Sequence, residues 1–472
     1  MTSPVLAPAA DTAPQAAASP WPTFWIASIA VFLVSIDSTV LFAAFGALQA
    51  AFPGATAADL SWVLNAYTVV YATMLIPAGG LADAHGRKRV FLFGVTLFLA
   101  ASAACGMADS VPLLIAARVV QALGAALLTP ASLSIILDAF PKEKRAVAVS
   151  LWGAVGGLAA AIGPSLGTTI VEHLGWPWAF YINLPLGAIS LWFGAARLRE
   201  AQLGGRVTGQ PARIDVVGML LLIVAVGAVA MAIIQLDSPR WSRLELGALA
   251  LTSAIAFIAF VAWARTAQAP LVDLALFANR SYSAVNLATL SFGTAFSMMF
   301  FAFFSYMTQI WHFSLPQAGL AVAPGPLMVV PTAIVAGRIA ARTGHRPLLV
   351  IGSLVYAASG LWLLLVPGAE PAYLTEWLPG LFLSGIGVGM VLPSLSGAAV
   401  AGLPPAQYAV GSAVNQATRQ LGSVLGVAVT VLLVGHAGLT HADFVPLYGM
   451  HVALALLTGA LCLAVKTRPV AK

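Results

Sequence analysis

The stretch PAGGLADAHGRKRVFLFG, residues 77–94, places a dense group of charges between two uncharged segments. Residues 61–81 and 90–108 contain no Asp, Glu, Lys or Arg. Between them lie five charged or titratable side chains, namely Asp83, His85, Arg87, Lys88 and Arg89. A short basic connection between two apolar runs of about 20 residues is typical of membrane helices joined by a cytoplasmic loop.

The composition of the whole chain also indicates a membrane protein. The 472 residues are 60% hydrophobic and 8% charged, whereas soluble domains contain about 25% charged residues. Both cysteines lie in apolar runs, which excludes a disulfide scaffold and a cysteine metal site. The sequence shows no metal-ligand spacing and no phosphate-binding loop followed by lysine. It therefore predicts no metal, no cofactor, no enzyme active site and no nucleic-acid partner.

Hydropathy predicts fourteen membrane-spanning helices, since each crossing needs about 20 apolar residues. The predicted spans lie at about 23–48, 60–82, 90–108, 112–138, 146–171, 177–196, 216–236, 245–264, 282–308, 317–337, 347–366, 375–398, 410–435 and 446–465. An even number of crossings places both termini on the same side of the membrane.

The distribution of basic residues orients these spans. Of the 22 Lys and Arg, 18 fall in the termini and in one set of alternate connections, and two fall in the other set. The remaining two, Arg118 and Arg419, lie within spans. Because Lys and Arg concentrate in cytoplasmic loops, we expect both termini to be cytoplasmic.

An internal repeat divides the chain. GRIAARTGHRP, residues 337–347, follows the tenth span as GGLADAHGRKR, residues 79–89, follows the second. The offset of eight helices predicts two six-helix bundles with two helices inserted between them. The predicted segments are a disordered cytoplasmic tail at 1–22, the first bundle at 23–197, a linker at 198–215, the inserted helices at 216–264, a connection at 265–281, the second bundle at 282–466 and a tail at 467–472.

The loop GGLADAHGRKR resembles the loop signature of the major facilitator superfamily. Further segments resemble signatures of its bacterial 14-helix drug/proton antiporter family: SIDSTVLFAAF at 35–45, RVVQALGAALLTPA at 118–131, GLAAAIGPSLGTTI at 157–170, YMTQIWHFSLPQAGLAVAPG at 306–325 and NQATRQLGSVLGVAV at 415–429. The sequence departs from the family pattern at Ala84, Ala122, Thr168 and Ala341. The resemblance covers about residues 24–465 and implies an all-α integral membrane protein of the bacterial cytoplasmic (inner) membrane.

Asp37 is the only acidic residue placed deep within a predicted span. A carboxylate at mid-bilayer costs at least about 2.5–3.5 kcal/mol on insertion scales, which favours a functional role such as proton or substrate binding. The alternative is a structural carboxylate bonded to backbone or to the hydroxyls of Ser38 and Thr39. The resemblance implies that Arg118 tunes proton release, and the alternative for Arg118 is a static contact with Gln121 or with carbonyl groups.

The opening stretch predicts an inner gate at the cytoplasmic ends of the helices. The resemblance implies a charge network that closes and opens the cavity, and its expected residues are Gly79, Asp83, Gly86, Arg87 and Asp138. The alternative is that the loop only fixes topology. In the fifth span, Gly163, Pro164 and Gly167 resemble the antiporter motif, and ordinary close helix packing is the alternative there.

A substrate cavity is expected between the two bundles. Its candidate lining residues are Asp37, Gln121, Tyr306, Gln309, Asn415 and Arg419, although Arg419 alternatively extends its side chain toward a membrane interface. The sequence thus predicts a monomeric, proton-coupled exporter of lipophilic or drug-like small molecules that works by alternating access in contact with membrane lipid. A single deep acid favours the exchange of one proton for a monovalent lipophilic cation. The rival functions are a lipid or lipid-linked metabolite exporter and a non-transporting receptor or scaffold.

Overall fold

The computed structural model describes residues 19–141, 145–198, 215–236, 240–401, 403, 407–436 and 438–466. The two predicted tails therefore fall largely outside the described residues, and most of the predicted linker at 198–215 does as well. The described residues form helices and connecting turns, with no β-strand among them.

The described residues between 19 and 198 form seven helices. They are α1 (Trp21–Ala51), α2 (Ala57–His85), α3 (Arg87–Gly106), α4 (Val111–Ala139), α5 (Arg145–Leu174), the single turn α6 (Trp178–Tyr181) and α7 (Asn183–Arg197). Local sequence sets their ends. The side chain of Thr56 accepts a hydrogen bond from the Asp59 amide and so begins α2 with a capping box. Gly86 ends α2 at a φ of +100°, a conformation that favours glycine.

The described residues from 215 onward contain nine α-helices. They are α8 (Val216–Ile234), α9 (Arg243–Thr266), α10 (Arg280–Gln309), α11 (Leu315–Val322), α12 (Pro324–Thr343), α13 (Arg346–Leu365), α14 (Leu378–Ala401), α15 (Tyr408–Val434) and α16 (Phe444–Cys462). Short 3-10 turns lie at Leu274–Ala278 and His441–Asp443, and a π-turn at Tyr373–Trp377 precedes α14.

Thirteen segments of the described residues are long and apolar enough to cross a membrane. α11 and α12 together supply one of these segments, because Pro324 starts a second helix immediately after the first. The predicted fifth span corresponds to α5, a 30-residue helix that is not among the thirteen. An all-helical membrane protein with many spans is thus confirmed.

The helices pack in two groups with the same pattern of partners. In the first group α3 packs on α4 and α7, while α1 packs on α5 and α7, and α2 on α4. In the second group α13 packs on α14 and α16, while α10 packs on α15 and α16, and α12 on α14. Each pair of the second group repeats a pair of the first in the same order along the chain.

Two seams join the groups. α2 packs against α15 along one seam, and α5 packs against α11 and α12 along the other. α8 and α9 pack on each other outside both groups, and α8 also contacts α2 and α15. We call the end of the molecule that carries the α2–α3 and α12–α13 connections the basic face, because Arg87, Lys88, Arg89 and Arg346 lie there, and the other end the opposite face.

Specific contacts hold the two groups together in the half of the molecule near the opposite face. The rings of Phe45 on α1 and Phe301 on α10 meet edge to face with centroids 4.9 Å apart. The hydroxyl of Ser165 on α5 donates a hydrogen bond to the carbonyl of Gly319 on α11 at 3.0 Å. A Cβ at Gly319 would lie 2.8 Å from the Pro164 carbonyl oxygen, so α5 and α11 approach each other closely there.

Candidate functional site

Asp37 and Arg118 form an ion pair inside the first group of helices. Nη1 of Arg118 on α4 donates to Oδ2 of Asp37 on α1 at 2.7 Å, and each side chain is 1% exposed. The two charges neutralise each other, which allows a carboxylate to lie among apolar helices. The structure thus places in direct contact two residues that the sequence analysis singled out separately.

Two amide side chains complete the shell around the carboxylate. Nε2 of Gln121 donates to Oδ1 of Asp37 at 2.8 Å, and Nδ2 of Asn183 on α7 donates to the same oxygen at 3.0 Å. Gln121 also accepts a hydrogen bond from Arg118 through Oε1 and donates to the Ser102 hydroxyl on α3. Side chains of α4 and α7 thus bond the Asp37 carboxylate on α1, and Ser102 of α3 supports Gln121. All five side chains are buried.

The neighbouring hydroxyls on α1 do not bind Asp37. The hydroxyl of Ser38 donates to the carbonyl of Val34 at 3.0 Å, and that of Thr39 donates to the carbonyl of Ser35 at 3.0 Å. These bonds lie within the helix itself, as is common for Ser and Thr in membrane helices. The carboxylate is therefore held by side chains from other helices.

Arg118 has two further contacts on α2. Its Nε donates to the carbonyl of Val63 at 3.0 Å, and its guanidinium carbon lies 3.9 Å from the ring centroid of Tyr67, a cation–π distance. The ring of Tyr67 stacks on that of Tyr71 with centroids 5.9 Å apart, and the Tyr71 hydroxyl bonds Thr129 on α4. A line of aromatic contacts therefore extends from the ion pair toward the middle of the molecule.

Gly163 and Gly167 of the antiporter motif lie where α5 crosses α1, beside Asp37. A Cβ at Gly163 would overlap the Thr39 side chain, and a Cβ at Gly167 would lie 2.9 Å from the methyl groups of Val40. Glycine permits this close approach, in the way that small residues allow membrane helices to pack. Pro164 between them is buried and faces the α11 contact through its carbonyl.

The expected inner-gate residues lie at the basic face. Arg87 and Asp138 form an ion pair between α3 and α4, and their side chains are 31% and 36% exposed. Both helices belong to the first group, so this pair does not itself bridge the two groups. Gly79 lies beside Pro130 of α4. The side chain of Asp83 lies outside the described residues, although its backbone is part of α2.

The candidates from the second group are not all together. Asn415 is buried in α15 and donates to Oγ1 of Thr289 on α10 at 2.8 Å. Arg419, one turn further along α15, is partly exposed and has its Nε 3.4 Å from Oε1 of Gln416. Tyr306 is fully buried and donates to the Gly368 carbonyl near the opposite face, and Gln309 lies exposed at the end of α10.

Three residues of the site escaped the sequence analysis, namely Asn183, Ser102 and Tyr67. Asn183 stands as an isolated amide in the apolar segment YINLPLG, and such an amide is a usable signal because an unpaired polar group is costly in a membrane. Ser102 and Tyr67 carry no comparable signal. Their roles depend on which faces of α3 and α2 turn toward Arg118.

Comparison with known proteins agrees with this architecture. The family model of the Major Facilitator Superfamily matches residues 27–427 and 285–472. The tetracenomycin C resistance and export protein of Streptomyces glaucescens is 32% identical over 430 residues, covering 90% of this chain and 78% of that protein. The multidrug export protein EmrB of Haemophilus influenzae is 30% identical over 416 residues, covering 86% and 79%.

Solved structures share the fold. A peptide transporter POT bound to sulfate superposes with a TM-score of 0.68 at 18% identity and covers 95% of this chain and 94% of its own. The inward-open xylose transporter XylE of E. coli gives a TM-score of 0.64 at 12% identity, covering 94% and 96%. The resemblance to bacterial drug exporters is thus confirmed, and the chain belongs to the major facilitator superfamily as a membrane transporter rather than an enzyme.

Proposed function

We propose that this protein is a proton-coupled antiporter that exports lipophilic or drug-like small molecules across the bacterial cytoplasmic membrane. The drug-export function named for the relatives supports the substrate class. The observation that carries the proton coupling is the Asp37–Arg118 pair, a carboxylate that is 1% exposed yet bonded by three side chains from two other helices. Intramembrane carboxylates of this kind mark proton pathways.

The topology belongs to the same proposal. α5 supplies the fourteenth span beside the thirteen apolar segments, and the basic face lies in the cytoplasm, as the distribution of Lys and Arg favours. Both termini are then cytoplasmic. The first bundle extends over 23–197 and the second over 282–466, with the inserted helices at 216–264 between them. The transporter acts as a monomer.

Proton binding at Asp37 changes the charge balance of the site. Protonation removes the negative charge and leaves the guanidinium of Arg118 without its counter-charge, so the bonds between α1 and α4 weaken. Oδ1 of Asn183 has no hydrogen-bond partner among the described residues. Rotation of this amide presents Oδ1 as an acceptor for the new carboxylic O–H. The protonated and ionised sites therefore favour different packings of α1 against α4 and α7.

Alternating access then requires the contacts at the opposite face to break. Phe45–Phe301 and Ser165–Gly319 join the two groups there, and both must separate before a cavity between the groups can open outward. Gly163 and Gly167 of α5 pack against α1, the helix that carries Asp37. A change in the packing of α1 on protonation of Asp37 therefore moves α5, which forms part of the seam. A proton drives the cycle only because it binds the two states with different affinity.

Proton flux in liposomes tests this function. Wild-type protein and Asp37→Asn are reconstituted with an imposed pH gradient, a panel of cationic, neutral and acidic lipophilic compounds is added, and an internal dye reports pH. We expect at least one compound to trigger proton movement in the wild type and none in Asp37→Asn. Ser38→Ala is the matched control, because among the described residues the Ser38 hydroxyl bonds only a carbonyl of its own helix. Equal flux in wild type and Asp37→Asn would place the proton site elsewhere.

The rival functions predict other outcomes of the same assay. A folded wild-type protein that moves no protons with any compound, but retains lipid through purification, would indicate a lipid exporter. A protein that is silent and binds neither lipid nor compound would indicate a receptor or scaffold.

A further inference from the structure

Arg419 is an arginine in the middle of α15 whose charge no carboxylate compensates. Among the described residues, no Asp or Glu lies within ion-pair distance of its guanidinium. Its hydrogen bond to Gln416 is long, with Nε of Arg419 3.4 Å from Oε1 of Gln416. Arg118, by contrast, has Asp37 at 2.7 Å.

Arg419 lies midway along α15, a helix of the second group that packs against α2 of the first group. It lies eleven residues from the start of α15, or about 17 Å along the helix axis. The α15 backbone at Arg419 packs against Gly293 of α10, and the side chain approaches Tyr71 of α2 across the seam. Transporters of this architecture place their substrates near the midplane between the repeats. The partial exposure of Arg419 there leaves its donors accessible to a ligand.

A guanidinium in this setting is selective for one ligand chemistry. Its planar fork of N–H donors matches the two oxygens of a carboxylate, and an ionised acceptor forms stronger hydrogen bonds than a neutral one. An unpaired cation away from bulk water is unfavourable, and an anionic ligand removes that cost. A cationic ligand adds a second positive charge to the same region.

An aromatic line connects Arg419 to the proton site. Tyr71 interacts with Arg419 and stacks on Tyr67, and Tyr67 lies under the guanidinium of Arg118, which holds Asp37. The Oη of Tyr67 is buried without a hydrogen-bond partner among the described residues. A ligand seated on Arg419 therefore lies on a helix that packs against α2, the helix that carries this tyrosine pair.

We propose that Arg419 binds the acidic group of the exported compound, so that the substrates are lipophilic organic carboxylates with an aromatic or apolar body. This inference rests on the proposed function and reverses the sign of the substrate charge that the single deep acid favoured. The exit of a monoanion and the entry of a proton both transfer net positive charge into the cell. The membrane potential, negative inside, then drives both movements.

Three anthracene probes that share one ring system and carry a negative, a neutral and a positive group test the inference by binding to purified protein. The probes are anthracene-9-carboxylate, its methyl ester and anthracene-9-methylammonium, and their fluorescence reports binding without any need for transport. We expect the wild type to bind the carboxylate at least tenfold more tightly than the ester, and the ammonium more weakly than the ester.

Variants assign the preference to Arg419. Arg419→Gln should lose the preference for the carboxylate over the ester, and Arg419→Lys should retain part of it. Arg197→Gln is the matched control, because it removes one positive charge at the exposed end of α7 and should keep the full preference. Thermal unfolding without ligand shows that each variant is folded, and Arg419→Lys keeps the test valid if Arg419→Gln does not fold.

The result that overturns the inference is distinct from one that overturns the proposed function. Equal affinity of the wild type for carboxylate and ester, no binding of the carboxylate, or an unchanged preference in Arg419→Gln would refute the anion site. Proton flux triggered by the ester or the ammonium in the wild type would then leave proton-coupled export standing. A carboxylate preference that depends on Arg419, with no compound-triggered proton flux, would instead refute antiport alone.

Discussion

Arg118 and Arg419 are the two arginines in the middle of the protein's helices, and their surroundings differ. Arg118 is 1% exposed and bonds a carboxylate, an amide and a backbone carbonyl, while its ring contact with Tyr67 covers the guanidinium face. Arg419 is partly exposed, and its one hydrogen bond to a described residue is a long contact with the amide of Gln416. Asp37 thus compensates the charge of Arg118, whereas we propose that an anionic ligand compensates the charge of Arg419.

Removal of Arg118 should have the largest effect on stability. Arg118→Gln leaves Asp37 as a buried charge without a partner, and breaking a buried ion pair in this way costs about 3–5 kcal/mol. We expect the free energy of unfolding in mixed detergent micelles to fall by that amount. The double variant Asp37→Asn with Arg118→Gln removes both charges and should recover at least half of the loss. No recovery in the double variant would mean that packing rather than charge compensation holds this site.

Asn183→Ala should have the second largest effect. It removes a donor from the Asp37 carboxylate, and a hydrogen bond to a charged group contributes about 1.5–3 kcal/mol. Asn415→Ala is the matched control, because the acceptors of Asn415 among the described residues are neutral oxygens on Thr289 and Asn286. This substitution should cost about 0.5–1.5 kcal/mol. Thermal unfolding of both variants at one pH makes the comparison. A smaller loss for Asn183→Ala than for Asn415→Ala would contradict the role of Asn183 in supporting the carboxylate.

Arg419→Gln should have the smallest effect on stability in the absence of ligand. No ion pair is broken, and an uncompensated cation is removed, so we expect the free energy of unfolding to change by less than about 1 kcal/mol or to rise slightly. The measurement is the same detergent titration that is used for Arg118→Gln. A loss as large as that of Arg118→Gln would show that Arg419 is structural and would remove the contrast between the two arginines.

The sequence was sufficient for the fold because its strongest signals are long apolar runs and basic connections. The loop at residues 77–94 and its second copy at 337–347 also predicted an internal repeat, and the helices pack in two groups with the same pattern of partners. Membrane helices have few alternatives, since each must satisfy its own backbone groups. Span lengths and loop charges therefore determine most of the architecture.

The site was less accessible to sequence reasoning. Asp37, Arg118 and Gln121 stood out as polar residues in apolar spans, but the rotation and tilt of each helix decide whether such residues meet. Asn183 joins Asp37 from 146 residues away because α7 packs against both α1 and α3. Tyr306 was expected to line the substrate cavity, but its aromatic neighbours enclose it within the second group of helices. Which face of a helix turns inward is a property of packing that composition does not record.

The placement of α8 has a consequence for how a compound reaches the middle of the protein. α8 contacts α2 and α15, one helix from each group, and so lies across the seam between them. The α5–α11 and α5–α12 contacts form the other seam, and α8 does not lie across it. An amphiphile that diffuses within the lipid therefore meets a covered side and an uncovered side. We expect compounds dissolved in the membrane to reach the space between the two groups from the side of α5, because α8 covers the other side.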